Sequence, residues 1–182
     1  MMIAALGRLG VETDAPASPD TPRAASETIV VGAPGVRGIV VRLPPTVHGA
    51  GNLGFIGRLV QLARKNGAAA YIGDGANRWP AVHRLDAARV FVRGLEKAAP
   101  GSRLHAVAEE GVPMRAIAET IGQGLGLPAR SMTQEEAYAA FDFLSAFVGT
   151  DNPASSAITQ KRLGWTPREM DLLADIKANY FA

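Results

Sequence analysis

VVRLPPTVHGAGNLGFIG, residues 40–57, decides how this chain is read. GIVVRL, residues 38–43, is β-branched and almost uncharged, the composition of a strand buried on both faces of a parallel sheet. Pro44 and Pro45 then fix an extended exit, because a residue ahead of proline is pushed out of the α region. GNLGFIG, residues 51–57, follows, with glycines at 51, 54 and 57. Such spacing can admit a dinucleotide pyrophosphate at a helix N-terminus, and the apolar run AAAYIG ending at Asp74 adds to the likeness of a nucleotide-binding βαβ unit. A true fingerprint, however, reaches its first glycine within about two residues of the strand. Here PPTVHGA separates Leu43 from Gly51, so the stretch reads as a glycine-rich loop ahead of a helix.

On either side, helices and strands alternate. PRAASETIVV starts a helix at Pro22 that Gly32 and Pro34 stop. Phe55, Leu59, Leu62 and Ala63 repeat at helical spacing until Asn66 and Gly67, and AAYI is a short strand. A helix over 84–97 places Leu85, Ala88, Val92 and Leu95 on one face, and RLHAVAE, 103–109, is a further strand. Pro113 opens a helix carrying Ile117, Ala118, Ile121 and Leu125, closed by Gly126. Thr133 with Glu136, and Thr166 with Glu169 behind Pro167, are capping-box pairs; Asn152 and Pro153 mark another helix start, with Gly164 as its stop. The expected fold class is α/β: an incomplete Rossmann-like parallel sheet with a helical C-terminal part.

A chain of 182 residues, 47% apolar and 20% charged, can bury one ordinary core. Lysine and arginine number 19 against 17 acidic residues, scattered and with few aromatics, which argues against nucleic acid as a partner. Cysteine is absent, which excludes disulfides, thiolate metal sites and cysteine nucleophiles. MMIAALGRLGV lacks the basic region of a signal peptide, no run is long enough to span a bilayer, and a cytoplasmic location is the expectation. The histidines at 48, 83 and 105 show no metal-binding spacing, and no Gly-x-Ser-x-Gly turn supports a serine nucleophile. ETDAPASPDTP, 12–22, reads as an exposed connection.

Taken as a set, VVRLPPTVHG, YIGDGANRWPAVHRLDAAR and SSAITQKRLGW before Pro167 resemble the second half of the NAD-dependent epimerase/dehydratase family, the extended short-chain dehydrogenase/reductases. The family's Arg-x-Pro-x-x-Val-Tyr/His-Gly pattern is matched by Arg42, Pro44, Val47, His48 and Gly49. Its GDG turn, arginine and His-x-x-Asp segment are matched by Gly73, Asp74, Gly75, Arg78, His83 and Asp86. The resemblance implies that residues 1–48 are a Rossmann remnant and 49–182 the substrate-binding part, with 79–98 packing back on the sheet. It places GNLGFIG in the loop entering the substrate part and leaves the dinucleotide fingerprint outside this sequence.

The family's Tyr-x-x-x-Lys is not matched either. A tyrosine there acts as acid/base, its pKa lowered by the lysine one turn away. Tyr71, Tyr138 and Tyr180 have no lysine four residues on, and aligning PRAASE with that helix puts Pro19 at the tyrosine and Arg23 at the lysine. This departure is similar to the family's atypical branch. By resemblance, Arg23 would donate to a ribose, or else is a solvated helix-start arginine; Pro44, Pro45 and Val47 would line the nicotinamide side of NAD or NADP, or form only a rigid strand exit. His48 would donate to substrate or cap a loop, and Arg78 would bind substrate phosphate or sit in a surface ion pair. No catalytic or metal residue is assigned. The implied substrate is a sugar nucleotide or another carbonyl or alcohol, with the chain inactive alone. The implied partner is a second copy or a complementing N-terminal half. The alternative is a non-catalytic binding module.

Overall fold

The computed structural model describes residues 7–16, 22–51 and 54–181. Helix α1 (Pro22–Gly32) leads into β1 (Val40–Arg42), which pairs in parallel with β5 (Arg103–His105), Val41 level with Leu104. Past the two prolines the chain resumes as β2 (Thr46–His48) and enters α2 (Gly54–Asn66). It continues through β3 (Ala69–Ile72) and β4 (Arg78–His83) to α3 (Arg84–Lys97). After β5 come β6 (Glu109–Pro113), α4 (Met114–Leu125), β7 (Ala129–Met132) and α5 (Gln134–Ala140). The short α6 (Ser145–Val148), then α7 (Ala157–Leu163) and α8 (Leu172–Asn179), complete the order.

The strands form three small sheets among the described residues: β1 with β5, β2 with β4 and β6, and β3 with β7. All pairs are parallel except β4 with β6, whose register breaks beside Pro80, where no amide hydrogen can join the ladder. Helices α2 and α4 bury Leu59, Leu62, Ile117 and Ile121 in one large core with Trp79, Tyr71, Leu172 and Ile176. A second, smaller cluster joins Ala87 and Val90 of α3 to Leu104, Leu163 and Trp165. Arg42 faces α1, so strand alternation turns Val41 to the opposite side, where it packs with the α3 cluster. Helices α1 and α3 thus cover opposite faces of the β1/β5 pair.

Most helices lie where the sequence places them, and the capping box of Thr133 and Glu136 forms. Four readings change. The face of α3 carrying Leu85, Ala88, Val92 and Leu95 points outward, and Ala87, Val90 and Gly94 point in. β1 is three residues long, with Val40 and Val41 only half-buried, and among the described residues β5 is its one neighbour. The helix expected from Asn152 starts at Ala157, since the amides of Asn152, Ala154 and Ser155 are drawn to the carbonyls of Arg78, Glu110 and Gly10. Thr166 caps no helix: the amides of Arg168 and Glu169 donate to the buried carboxylate of Asp86, and α8 begins only after Asp171.

Candidate functional site

The parallel strands β2 and β4 end level with each other, His48 opposite His83, and each opens into a helix N-terminus. Ligands bind at such carboxyl edges in open α/β sheets. Because β2 stops at His48, the glycines at 49, 51 and 54 follow a strand directly, in the spacing Gly-x-Gly-x-x-Gly. Reading the strand as ending at Leu43 hid this. Gly49 has φ +140° and Gly51 φ +118°, backbone that side chains rarely adopt; Asn52 and Leu53 lie outside the described residues.

Two observations bear on whether a dinucleotide fits here. The space that a Cβ on Gly49 would fill is taken by the Arg84 side chain, whose guanidinium donates to the carbonyl of Ala50 at 2.6 Å. The strand following α2 pairs with β7 and not with β2, so among the described residues no neighbouring strand tip brings an acidic residue to a ribose. Asp74 instead accepts from the amide of Ala76 in its own turn. The described residues do not form a complete dinucleotide cradle.

Of the residues picked from the sequence, Pro44, Pro45, Val47 and His48 lie on one continuous segment. Pro44 is buried, and Pro45 and Val47 are half-buried. His48 is buried, its Nδ1 2.9 Å from Asp175 Oδ2 on α8 and its ring edge-on to His83. Burial holds its pKa below the ordinary imidazole value against the pull of Asp175, so the neutral ring donates from Nδ1 and leaves Nε2 with no partner among the described residues. Tyr180 sets its hydroxyl against the carbonyl of Gly49, and burial raises its pKa. Arg78, at the other end of β4, is exposed and forked onto Asp151 at 2.8 and 3.0 Å; those bonds raise its pKa. Arg23 is exposed on α1, and Pro19 lies outside the described residues.

A buried polar cluster behind β1 is the feature that sequence reading missed. Arg42 forks onto Glu27 at 2.6 and 3.0 Å and donates to the carbonyl of Asp14, with His105 Nε2 at 3.4 Å. Arg103 joins the same Glu27 at 2.6 Å. Burial opposes ionisation of Glu27, but the two guanidiniums prevail and its pKa falls. His105 donates from Nδ1 to Ser155, its pKa lowered by burial, and Glu12 accepts from the amide and hydroxyl of Thr159. Glu12, Glu27, Arg42, Arg103 and Arg162 border an open cleft of about 720 Å³; Arg42 of the family pattern lines it, and the candidate binding residues Arg23, Pro44, Pro45, Val47, His48 and Arg78 do not. An arginine inside an otherwise apolar strand was the signal available. A charge so placed demands a buried partner.

No family model matches the chain. An uncharacterized protein of Schizosaccharomyces pombe is 48% identical over 177 residues, covering 96% of this chain and 60% of its own length. Another from Saccharomyces cerevisiae is 45% identical over 146 residues, covering 80% and 49%. The chain thus spans about half to three-fifths of the curated relatives it matches. Its structure is similar to a dTDP-glucose 4,6-dehydratase from Streptomyces venezuelae solved with NAD, at TM-score 0.71 and 17% identity over 98% of this chain and 55% of that one. It is also similar to a nucleoside-diphosphate-sugar epimerase from Pseudomonas aeruginosa, at TM-score 0.73 and 17% identity over 99% and 63%. The fold is Rossmann-like. Among the described residues no helix is long and apolar enough to cross a membrane, and no cluster of three or more metal-ligating side chains occurs.

Proposed function

We propose that this chain is the substrate-side portion of an NAD(P)-dependent oxidoreductase of the epimerase/dehydratase type, inactive by itself. The observation that carries the reading is the exit of β1. Arg42, pinned by Glu27, precedes Pro44, and the chain then runs along the carboxyl edge of β2 and β4 in a fold shared with such enzymes. In this reading residues 1–48 are the Rossmann remnant and 49–182 the substrate part, with 79–98 packed back on the sheet. Pro44, Pro45 and Val47 wall the nicotinamide side of NAD or NADP, and Arg23 lies toward its ribose. Arg78 holds an anionic group of a sugar nucleotide or a related carbonyl or alcohol once Asp151 yields it. His48 positions the loop at Gly49 through Asp175 and does not exchange protons, since its ring is closed to solvent. The partner that completes the cofactor site is a second copy or a separately supplied first half, in the cytoplasm.

A second reading, a non-catalytic binding module, draws support from the burial of His48 and His105, which withholds both rings from any substrate. Titrating the purified chain with NADH and NADPH, by cofactor fluorescence and calorimetry, tests the proposal. The expected result is a folded chain with no saturable binding. Saturable binding by the chain alone would return the cofactor to the glycine loop of residues 49–54 and overturn the division of labour.

A further inference from the structure

The incomplete strand pair at β1 has a structured surround. Among the described residues β5 is the only strand beside β1; the amide of Val40 donates to the carbonyl of Ser102 on that side, and the carbonyl of Arg42 accepts from the amide of Ala106. Alternation turns the backbone groups of Val41 toward the other edge. α1 runs directly into β1, as in the second half of a βαβ unit. The right-handed rule places the first strand of such a unit beside β1, and β5 already holds one side.

Both helices flanking β1 carry exposed apolar side chains. On α3, Arg93 and Lys97 reach the carbonyl of Leu163 and tie one flank to α7, which lies on the β5 side through Thr159 and His105. Phe91 and Leu95 project from the opposite flank, over the open edge, and are 45% and 67% exposed. Arg37 bonds to the carbonyls of Leu95 and Ala98, so Val36, 61% exposed, borders the same patch. The end of α1 abuts Gly38 at Val30, with Ile29 71% exposed beside it. Apolar surface therefore overhangs the strand edge from both faces, the pattern of an interrupted interior and not of a solvent surface.

We propose that this rim is the docking surface for a parallel strand carrying a helix on each face, supplied by a unit equivalent to the part of the relatives that this chain does not match. The fission-yeast relative leaves about 120 residues unmatched, enough for such a unit. The inference rests on the substrate-side reading above and commits to the first-half partner over a second copy.

The probe is that unmatched portion of the fission-yeast relative, co-expressed with the 182-residue chain and examined by sedimentation velocity. A 1:1 complex is expected, weakened at least tenfold by Ala88→Glu with Leu95→Glu and unaffected by Met170→Glu, an exposed apolar site elsewhere. Joining the same portion ahead of Met1 gives a second measurement: amides at 88–95 gain hydrogen-exchange protection. No complex and no protection, indifference to the double variant, or self-association of the chain through the same residues would each overturn the proposal. A complex that forms but takes up no NADH or NADPH would refute the oxidoreductase reading while leaving the docking surface standing.

Discussion

The two hydrophobic clusters of this molecule are built to different degrees of closure. Around α2, α4 and α8, twenty-one buried side chains among the described residues pack together, with eleven partly covered ones, such as Phe55 and Leu125, against them. Around β1 and β5, eight buried side chains lean on Ile39, Val41 and Leu43, which are themselves only partly covered. Of the ten large apolar side chains exposed among the described residues, seven lie on α1, α3 or the turn before β1. The two clusters therefore differ in size and in how much exposed apolar surface surrounds them.

The largest expected effect tests that contrast. Trp79→Ala, in the closed cluster, should cost about 3–5 kcal/mol in urea denaturation, whereas Val41→Ala, half-covered at the open one, should cost roughly 1 kcal/mol. Equal costs would erase the distinction. Next comes the joint between α3 and the segment before α8. Asp86 is 1% exposed and accepts from two backbone amides and Arg89, so Asp86→Ala should cost about 2–4 kcal/mol by leaving those donors unmatched. Asp86→Asn, which keeps one acceptor, should recover part of it.

The smallest is the pH dependence. His48 and His105 both have folded pKa values below the ordinary one, so the unfolded chain binds the extra protons. Their contribution to stability is whole above the unfolded pKa, near 6.5, and is lost as pH falls from there toward the folded pKa, at up to about 1.4 kcal/mol per pH unit for each ring. Urea midpoints at pH 7.5 and 5.5 should differ in that direction, and His105→Gln should flatten the slope.

Elements whose punctuation is local were legible in the sequence. Gly126 and Gly164 stop their helices at φ +66° and +60°, and Thr133 caps its own. The parallel layout followed from β-branched runs between helices. What escaped was decided at long range. Nothing near Leu85 or Leu95 says which face of α3 meets the sheet, since both faces carry apolar residues; Gly94, small enough to sit against Leu104, settles it. The partner of His48, Asp175, lies far along the chain and could not be read from its neighbourhood. The partner that fills the fork of Arg78, Asp151, likewise lies far along the chain. The resemblance supplied the fold and could not supply these pairings.

The carboxylate of Asp86 has a further consequence, one of helix register. Thr166, Pro167 and Glu169 carry a complete local instruction to start a helix, and a peptide covering 164–182 should begin coiling at Pro167. In the folded chain Asp86 holds those amides and α8 starts at Leu172. Local preference and final structure disagree there. Asp86 thus silences the earlier start, and the register of α8 is set by Asp171, whose carboxylate accepts from the amide of Ala174.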